Sequence, residues 1–153
     1  MNAQDHGPGV RLPPPAVVAG LLALAWGLER VLPVPLGPPL PDLGALVIFA
    51  AAGLIGWALL VMLKAGNDPR PDRPDSAMVE AGPYRFSRNP IYLGLILGAL
   101  GFALRWGDLW GWIAVAGSHL VLDRLVVAKE EAYLAARFGT AYETYRSRVR
   151  RWI

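Results

Sequence analysis

Cysteine is absent from this chain of 153 residues, which excludes disulfides, iron–sulfur ligation and a thiol nucleophile. Histidine occurs twice, at His6 and His119, so a metal site built from several histidines is not available, and none is expected. Charge is also scarce: charged residues make up 18% of the chain against 54% hydrophobic, a balance unlike that of a soluble domain. No G-x-G-x-x-G follows a strand, so no Rossmann domain is expected. Ser87 and Ser118 have no His–Asp companions arranged for nucleophilic catalysis, which argues against a hydrolase.

What the chain has instead is clustered apolar sequence. Residues 43 to 63 run without one ionisable side chain, long enough to cross roughly 30 Å of hydrocarbon as a helix. Residues 16 to 34 stay apolar until Glu29 and Arg30, which suit the far interface. A third span is expected near 90 to 106, and a fourth near 109 to 128, continuing past Asp123 and Arg124. The linker Arg105-Trp106-Gly107-Asp108 is short enough to force the last two into an antiparallel hairpin. The sequence thus predicts a single all-α membrane domain over 1 to 153, with about four transmembrane helices, a lead-in over 1 to 15 and a cytoplasmic helical cap over 129 to 150.

Orientation follows from charge. One side would hold Arg11, Lys64, Arg70, Arg73, Arg85, Arg88 and the tail from Arg124 onward, and the other only Arg30 and Arg105. The positive-inside rule then places both termini in the cytoplasm, with the inner membrane as the site if the chain is bacterial. The tail arginines Arg146, Arg148, Arg150 and Arg151 would lie against anionic headgroups. Membrane lipids are therefore the expected partners, and the pI of about 9.6 needs no nucleic acid to explain it. The N-terminus lacks a signal peptide's charged start, so the first apolar segment is expected to be retained.

The segment Leu32 to Asp42 carries five prolines and reads as a stiff, non-helical connection. The longer loop after Lys64 alternates charge through a Pro-rich half, with order expected from Ser76 onward. In the tail, Gly139 can end one helix in the left-handed conformation before a second from Thr140 to about Val149. The side formed by Tyr133, Leu134, Phe138, Tyr142, Tyr145 and Val149 suits helices lying over the cytoplasmic mouth, and equally suits interfacial anchoring. Gly94, Gly98 and Gly101 fall on nearly one face of the third helix and predict close helix packing.

Chemistry is expected in the basic, rigid block from Gly82 to Tyr92, the one such block between apolar runs. On the fourth helix, Arg124 and Glu131 are seven apart and share a face, with Asp123 and Glu130 on a neighbouring one. Those four residues read either as an interfacial pair followed by solvated glutamates or as a wall facing the 82 to 92 block across a pocket. His119, one turn before Asp123, reads as a functional group or as a partner for Asp123 or a backbone carbonyl.

Two sets of residues resemble a known family. Ser76-Ala77-Met78-Val79, Gly82-Pro83-Tyr84 and Ser87-Arg88-Asn89-Pro90-Ile91-Tyr92-Leu93-Gly94 resemble the LV…G-x-Y…R-H-P-x-Y-x-G pattern of isoprenylcysteine carboxyl methyltransferases and the related phospholipid methyltransferases. Glu130-Glu131, Leu134, Phe138-Gly139, Tyr142, Tyr145 and Val149 resemble the E-E-x-x-L-x-x-x-F-G-x-x-Y-x-x-Y tail of the same enzymes. The resemblance covers roughly residues 42 to 153. It implies a membrane enzyme that takes S-adenosylmethionine from the cytoplasm and a lipophilic small molecule or lipid from the bilayer. Carried over by position, Met78, Val79, Tyr84, Asn89, Pro90, Ile91, Tyr92 and Glu130 would contact the cofactor, with Arg88 available to its carboxylate.

The chain departs from the family pattern at two places. Asn89 stands where the family has His, so this position would bind without titrating near neutral pH. Val126 stands where the prenylcysteine enzymes carry the arginine that recognises the substrate carboxylate, and Arg124 lies two residues earlier. The acceptor is therefore open among lipophilic carboxylates, amines, phenols and thiols. Arg124 is the candidate for orienting an anionic acceptor, and Glu131, Asp123 or His119 for deprotonating an amine or alcohol. A sterol reductase-like enzyme using NADPH and a non-enzymatic four-helix protein or transporter are the competing classes.

Overall fold

The computed structural model describes residues 8, 9, 13 to 68, 70 and 76 to 153. Arg11, Arg73 and most of both the lead-in and the charge-alternating Pro-rich stretch lie outside the described residues. The elements are α1 (Pro14–Val31), α2 (Pro41–Lys64), a 3-10 turn (Gly82–Arg85), α3 (Pro90–Trp106), α4 (Leu109–Val121), a π-helical segment (Leu122–Val127), α5 (Ala128–Phe138) and α6 (Thr140–Arg148). Among the described residues no strand forms, beyond one isolated bridge between Pro35 and Asp108. Three helical stretches are long and apolar enough to cross a membrane, Pro14–Val31, Pro41–Lys64 and Leu109–Phe138, while Pro90–Trp106 is apolar but shorter.

Proline sets where three of these helices begin. α1, α2 and α3 each carry Pro in the first turn, where the missing N–H costs nothing and φ is already helical. Pro41 and Asp42 therefore belong to α2, not to the non-helical connection expected to run through them. α4 begins at Asp108, whose carboxylate accepts from the Trp110 N–H at 3.0 Å as an N-cap does.

α3 is the central helix. It runs antiparallel to α2 on one side and to α4 on the other, and α1 closes against α4 and α3. The α2–α3 contact is backbone-close because small residues recur every seven positions. Gly44, Ala51 and Ala58 are buried on α2, and Gly94 and Gly101 on α3. A Cβ on Gly101 would sit 2.6 Å from Ile48 Cγ1 and 2.7 Å from the Gly44 carbonyl, and one on Gly94 would strike Ile55. Gly98 faces open space, so the expected glycine face is used at two of its three positions. The apolar cluster beside it comprises Val18, Ala99, Leu122 and Val126, with Leu22, Tyr92, Leu95, Ile96 and Val115 packed around it.

At the α3–α4 end of the molecule, the Pro-rich connection is clasped by the hairpin. Val34 N–H donates to Asp108 Oδ2 at 2.6 Å, Leu109 N–H to the Val34 carbonyl at 2.9 Å, and Leu36 N–H to the Gly107 carbonyl at 2.9 Å. Gly107 takes φ 68° to end α3, which a side chain would resist. This clasp ties α1–α2 to α3–α4 and holds the four helices in register.

Candidate functional site

α4 and α5 form one continuous helix with a wider turn in the middle. Through Leu122–Val127 the hydrogen bonds lengthen to i→i+5, with Ala128 N–H reaching the Asp123 carbonyl, which adds about one residue to that turn. The face shared across it is therefore eight residues apart, not seven. Asp123 and Glu131 are brought onto one side, where both meet Arg151, while Arg124 turns outward with its side chain 73% exposed and only a 3.6 Å contact to Asp123. The pairing of Arg124 with Glu131 on one face, expected for a uniform helix, is thus replaced by the pairing of Asp123 with Glu131.

Glu131 is the centre of a buried ion-pair network. Its Oε1 accepts from Arg88 Nη2 at 2.8 Å and its Oε2 from Arg151 Nη2 at 2.6 Å. Arg151 also reaches Asp123 Oδ1 at 3.1 Å, and Trp152 Nε1 donates to the same oxygen at 3.2 Å. The hydrogen bond to Glu131 is the main reason Arg151 holds its proton still more firmly than an ordinary arginine. Such charge-assisted bonds are strong where water is excluded. Arg151, expected to lie against headgroups, is instead held by Glu131 and Asp123. Both oxygens of Glu131, a candidate base on sequence, are thus engaged by guanidinium groups.

The network straps the chain's last residues across the start of α3. Arg88 N–H donates to the Arg150 carbonyl at 3.0 Å, and Arg88 Nη1 to the Val149 and Arg146 carbonyls at 2.9 and 3.1 Å. Ser87 Oγ and Asn89 Nδ2 both donate to the Arg151 carbonyl. Asn89 and Pro90 are buried beneath this strap, and Ile91 is half-buried on the first turn of α3. The Asn89 side chain is thus a backbone clamp. His119 is exposed on α4, its ring 5.0 Å from that of Trp152 and tilted 58° to it, so it packs edge-on against the strap.

Beside the strap is a cavity with about 410 Å³ of free space, its open mouth included. Met62 from α2 and Met78 and Val79 from the loop give it apolar walls. Leu134 closes it from α5, one turn beyond Glu130 and Glu131. Tyr84, Arg88, Tyr142 and Tyr145 supply the aromatic and polar faces. The loop wall is held by Asn67, which is 4% exposed. Its Oδ1 accepts from the Ser76 and Ala77 N–H groups at 2.9 and 3.0 Å, and its Nδ2 donates to the Ala77 carbonyl at 2.7 Å. Tyr145 Oη donates to the Tyr84 carbonyl at 2.7 Å, pinning α6 to the 3-10 turn. Burial pushes both tyrosine hydroxyls up, Tyr142 to about 12 and Tyr145 further. Tyr142 is 1% exposed, and among the described residues its hydroxyl has no hydrogen-bond partner.

Four of the residues singled out from sequence, Met78, Val79, Tyr84 and Arg88, therefore line one cavity. Tyr92 and Glu130 meet each other, the Tyr92 hydroxyl donating to Glu130 Oε1, between the first turns of α3 and α5. Arg124 stands apart from both sets. Asn67 and the role of Tyr142 were not picked out from sequence. Asn67 carries a local signal, a turn-forming Gly66-Asn67-Asp68 directly after an apolar helix.

The family model for phospholipid methyltransferase matches residues 43–141, from the start of α2 to the start of α6. An uncharacterised protein of Haemophilus influenzae is 38% identical over 63 residues, 41% of this chain and all of that protein. The protein-S-isoprenylcysteine O-methyltransferase of Schizosaccharomyces pombe is 35% identical over 78 residues, 49% of this chain and 32% of the yeast enzyme. The chain thus spans about a third of the length of that enzyme. No solved structure matches. On the family match, which takes in the 3-10 turn, all of α3 and the whole bent helix from Leu109 to Phe138, the chain belongs to the phospholipid methyltransferase family.

Proposed function

We propose that this protein is an integral-membrane methyltransferase that binds S-adenosylmethionine in the cavity beside Arg88 and methylates a lipophilic acceptor arriving from the bilayer. The observation that carries this reading is the meeting of the two family motifs around one space. Met78, Val79, Tyr84 and Arg88 from the first motif and Leu134, Tyr142 and Tyr145 from the second line the same cavity. The lining also fits such a cofactor: thioether, aliphatic and phenol surfaces suit a flat base, and the one Arg88 N–H not already given to Glu131 or the tail carbonyls suits an amino-acid carboxylate. A buried donor without a partner is the feature of an apo site that a ligand completes.

S-Adenosylmethionine supplies, when bound, a methyl group already made electrophilic by its sulfonium. The protein's part is then to align and to exclude water. The Arg88–Glu131–Arg151 network fixes one wall and the strap above it, and the Tyr145–Tyr84 bond fixes another. Tyr92, bonded to Glu130, packs against the apolar cluster shared by α1, α3, α4 and the π-helical segment, an apolar surface that suits a lipophilic acceptor. Arg124, exposed on the outside of the bent helix, suits contact with an anionic headgroup of the acceptor. Four crossings, with α3 spanning about 26 Å at 1.5 Å per residue, and the cavity and both termini on the cytoplasmic side, complete the reading. The positive charge of Lys64, Arg85, Arg88 and the tail supports that orientation.

Membranes containing the protein, incubated with S-adenosylmethionine labelled in its methyl group, should transfer label to extractable lipophilic material. Base-labile label would identify a methyl ester. Transfer no greater than in membranes lacking the protein would sink the proposal.

A further inference from the structure

Tyr142 is the most buried large side chain in the cavity wall, and among the described residues its hydroxyl has no hydrogen-bond partner. A buried hydroxyl left without a partner is costly to the empty protein. Its neighbour Tyr145, equally placed on α6, spends its hydroxyl on the Tyr84 carbonyl. The contrast sets Tyr142 apart as the donor left over for a ligand.

The charges around that oxygen say what kind of group it would meet. Arg88, Arg146 and Arg151 act on it against the single anion Glu131. A phenol held neutral in such a field is a donor to negative charge. The other walls, Met62, Met78 and Val79, offer nothing to an anion and suit an apolar, flat group.

We infer that the Tyr142 hydroxyl donates to the carboxylate of the amino-acid end of the bound cofactor, which fixes the cofactor's direction, carboxylate toward α6 and base toward Met62 and Met78. This rests on the methyltransferase reading. It assigns Tyr142 a binding role that its place in an amphipathic helix would not suggest.

The test uses the full-length protein in detergent, with Tyr142→Phe, and with S-adenosylhomocysteine and its decarboxylated analogue as probes, followed by direct binding and by thermal unfolding. Removing an unsatisfied hydroxyl should leave the ligand-free melting temperature unchanged or higher, whereas Tyr145→Phe should lower it. Tyr142→Phe should weaken S-adenosylhomocysteine binding by about tenfold or more, as for a hydrogen bond to a charged group. The decarboxylated analogue should bind wild type more weakly and lose nothing further in Tyr142→Phe, as expected when both changes remove one interaction. Undiminished S-adenosylhomocysteine binding by Tyr142→Phe, or equal losses for both probes, would overturn the inference while leaving the methyltransferase reading intact. Failure of the wild type to bind either probe would overturn both. A fall in the ligand-free melting temperature of Tyr142→Phe would also count against it, because the hydroxyl would then have a partner within the protein.

Discussion

Tyr145 and Tyr142 sit one turn apart on α6, both buried, yet one hydroxyl is bonded and the other is not. Tyr145→Phe should cost about 1 kcal/mol by stranding the Tyr84 carbonyl, read as a lower unfolding midpoint. Ser118, fully buried on α4 and also without a partner among the described residues, predicts the reverse: Ser118→Ala should be neutral or stabilising by the same measurement. Both tyrosines bind their protons more tightly folded than unfolded, chiefly because burial disfavours the phenolate. Their contribution is complete below the ordinary tyrosine pKa of about 10 and is lost as pH rises through the folded values. Unfolding midpoints measured from pH 9 to 12 should fall from about pH 10 upward, and Tyr142→Phe should flatten that fall. Sequence periodicity marked Tyr142 and Tyr145 as the apolar side of a helix. It could not tell a side that covers a cavity from one that lies on lipid, because both demand the same pattern.

Among the elements, the bent fourth helix and the terminal strap decide the geometry. The seven-residue spacing of Arg124 and Glu131 holds for a uniform 3.6-residue helix, and the π-helical turn shifts the partner of Glu131 to Asp123. No Pro or Gly marks that turn in LDRLVV, so it was not legible locally. Leu122, Val126 and Val127 are buried there, and packing sets it. The strap was equally hidden, since its bonds join residues some sixty positions apart. Glu131→Gln should destabilise by about 3 kcal/mol or more, because it leaves Arg88 buried without its carboxylate. Arg151→Ala should release the strap with a smaller loss, seen as faster trypsin cleavage after Arg148 and Arg150. The α2–α3 seam, by contrast, was legible from its glycines, although sequence alone did not distinguish Gly98 from its neighbours. Gly101→Leu should cost about 1–3 kcal/mol by forcing the helices apart, whereas Gly98→Ala should be tolerated or stabilise by up to about 1 kcal/mol through helix propensity.

Over the whole molecule, the apolar segments were the most legible feature, because a bilayer admits few alternatives to long apolar helices. Their ends were less so, and Pro41 shows why: proline breaks a helix interior but begins a helix well. Orientation can be checked cleanly, since the chain has no cysteine to give a background. A membrane-impermeant thiol reagent applied to intact cells should label Gly37→Cys, between α1 and α2, and should leave Thr140→Cys unlabelled until the membrane is permeabilised. The reverse pattern would turn the cavity away from cytoplasmic S-adenosylmethionine. The central claim, that the cavity beside Arg88 holds a sulfonium methyl donor, is tested most directly by ligand-dependent thermal stabilisation of the purified protein. S-Adenosylhomocysteine should raise the unfolding midpoint in a saturable way, equivalent to about 2.7 kcal/mol at a hundredfold excess over Kd, and NADPH should not. Stabilisation by NADPH with none from S-adenosylhomocysteine would contradict the account.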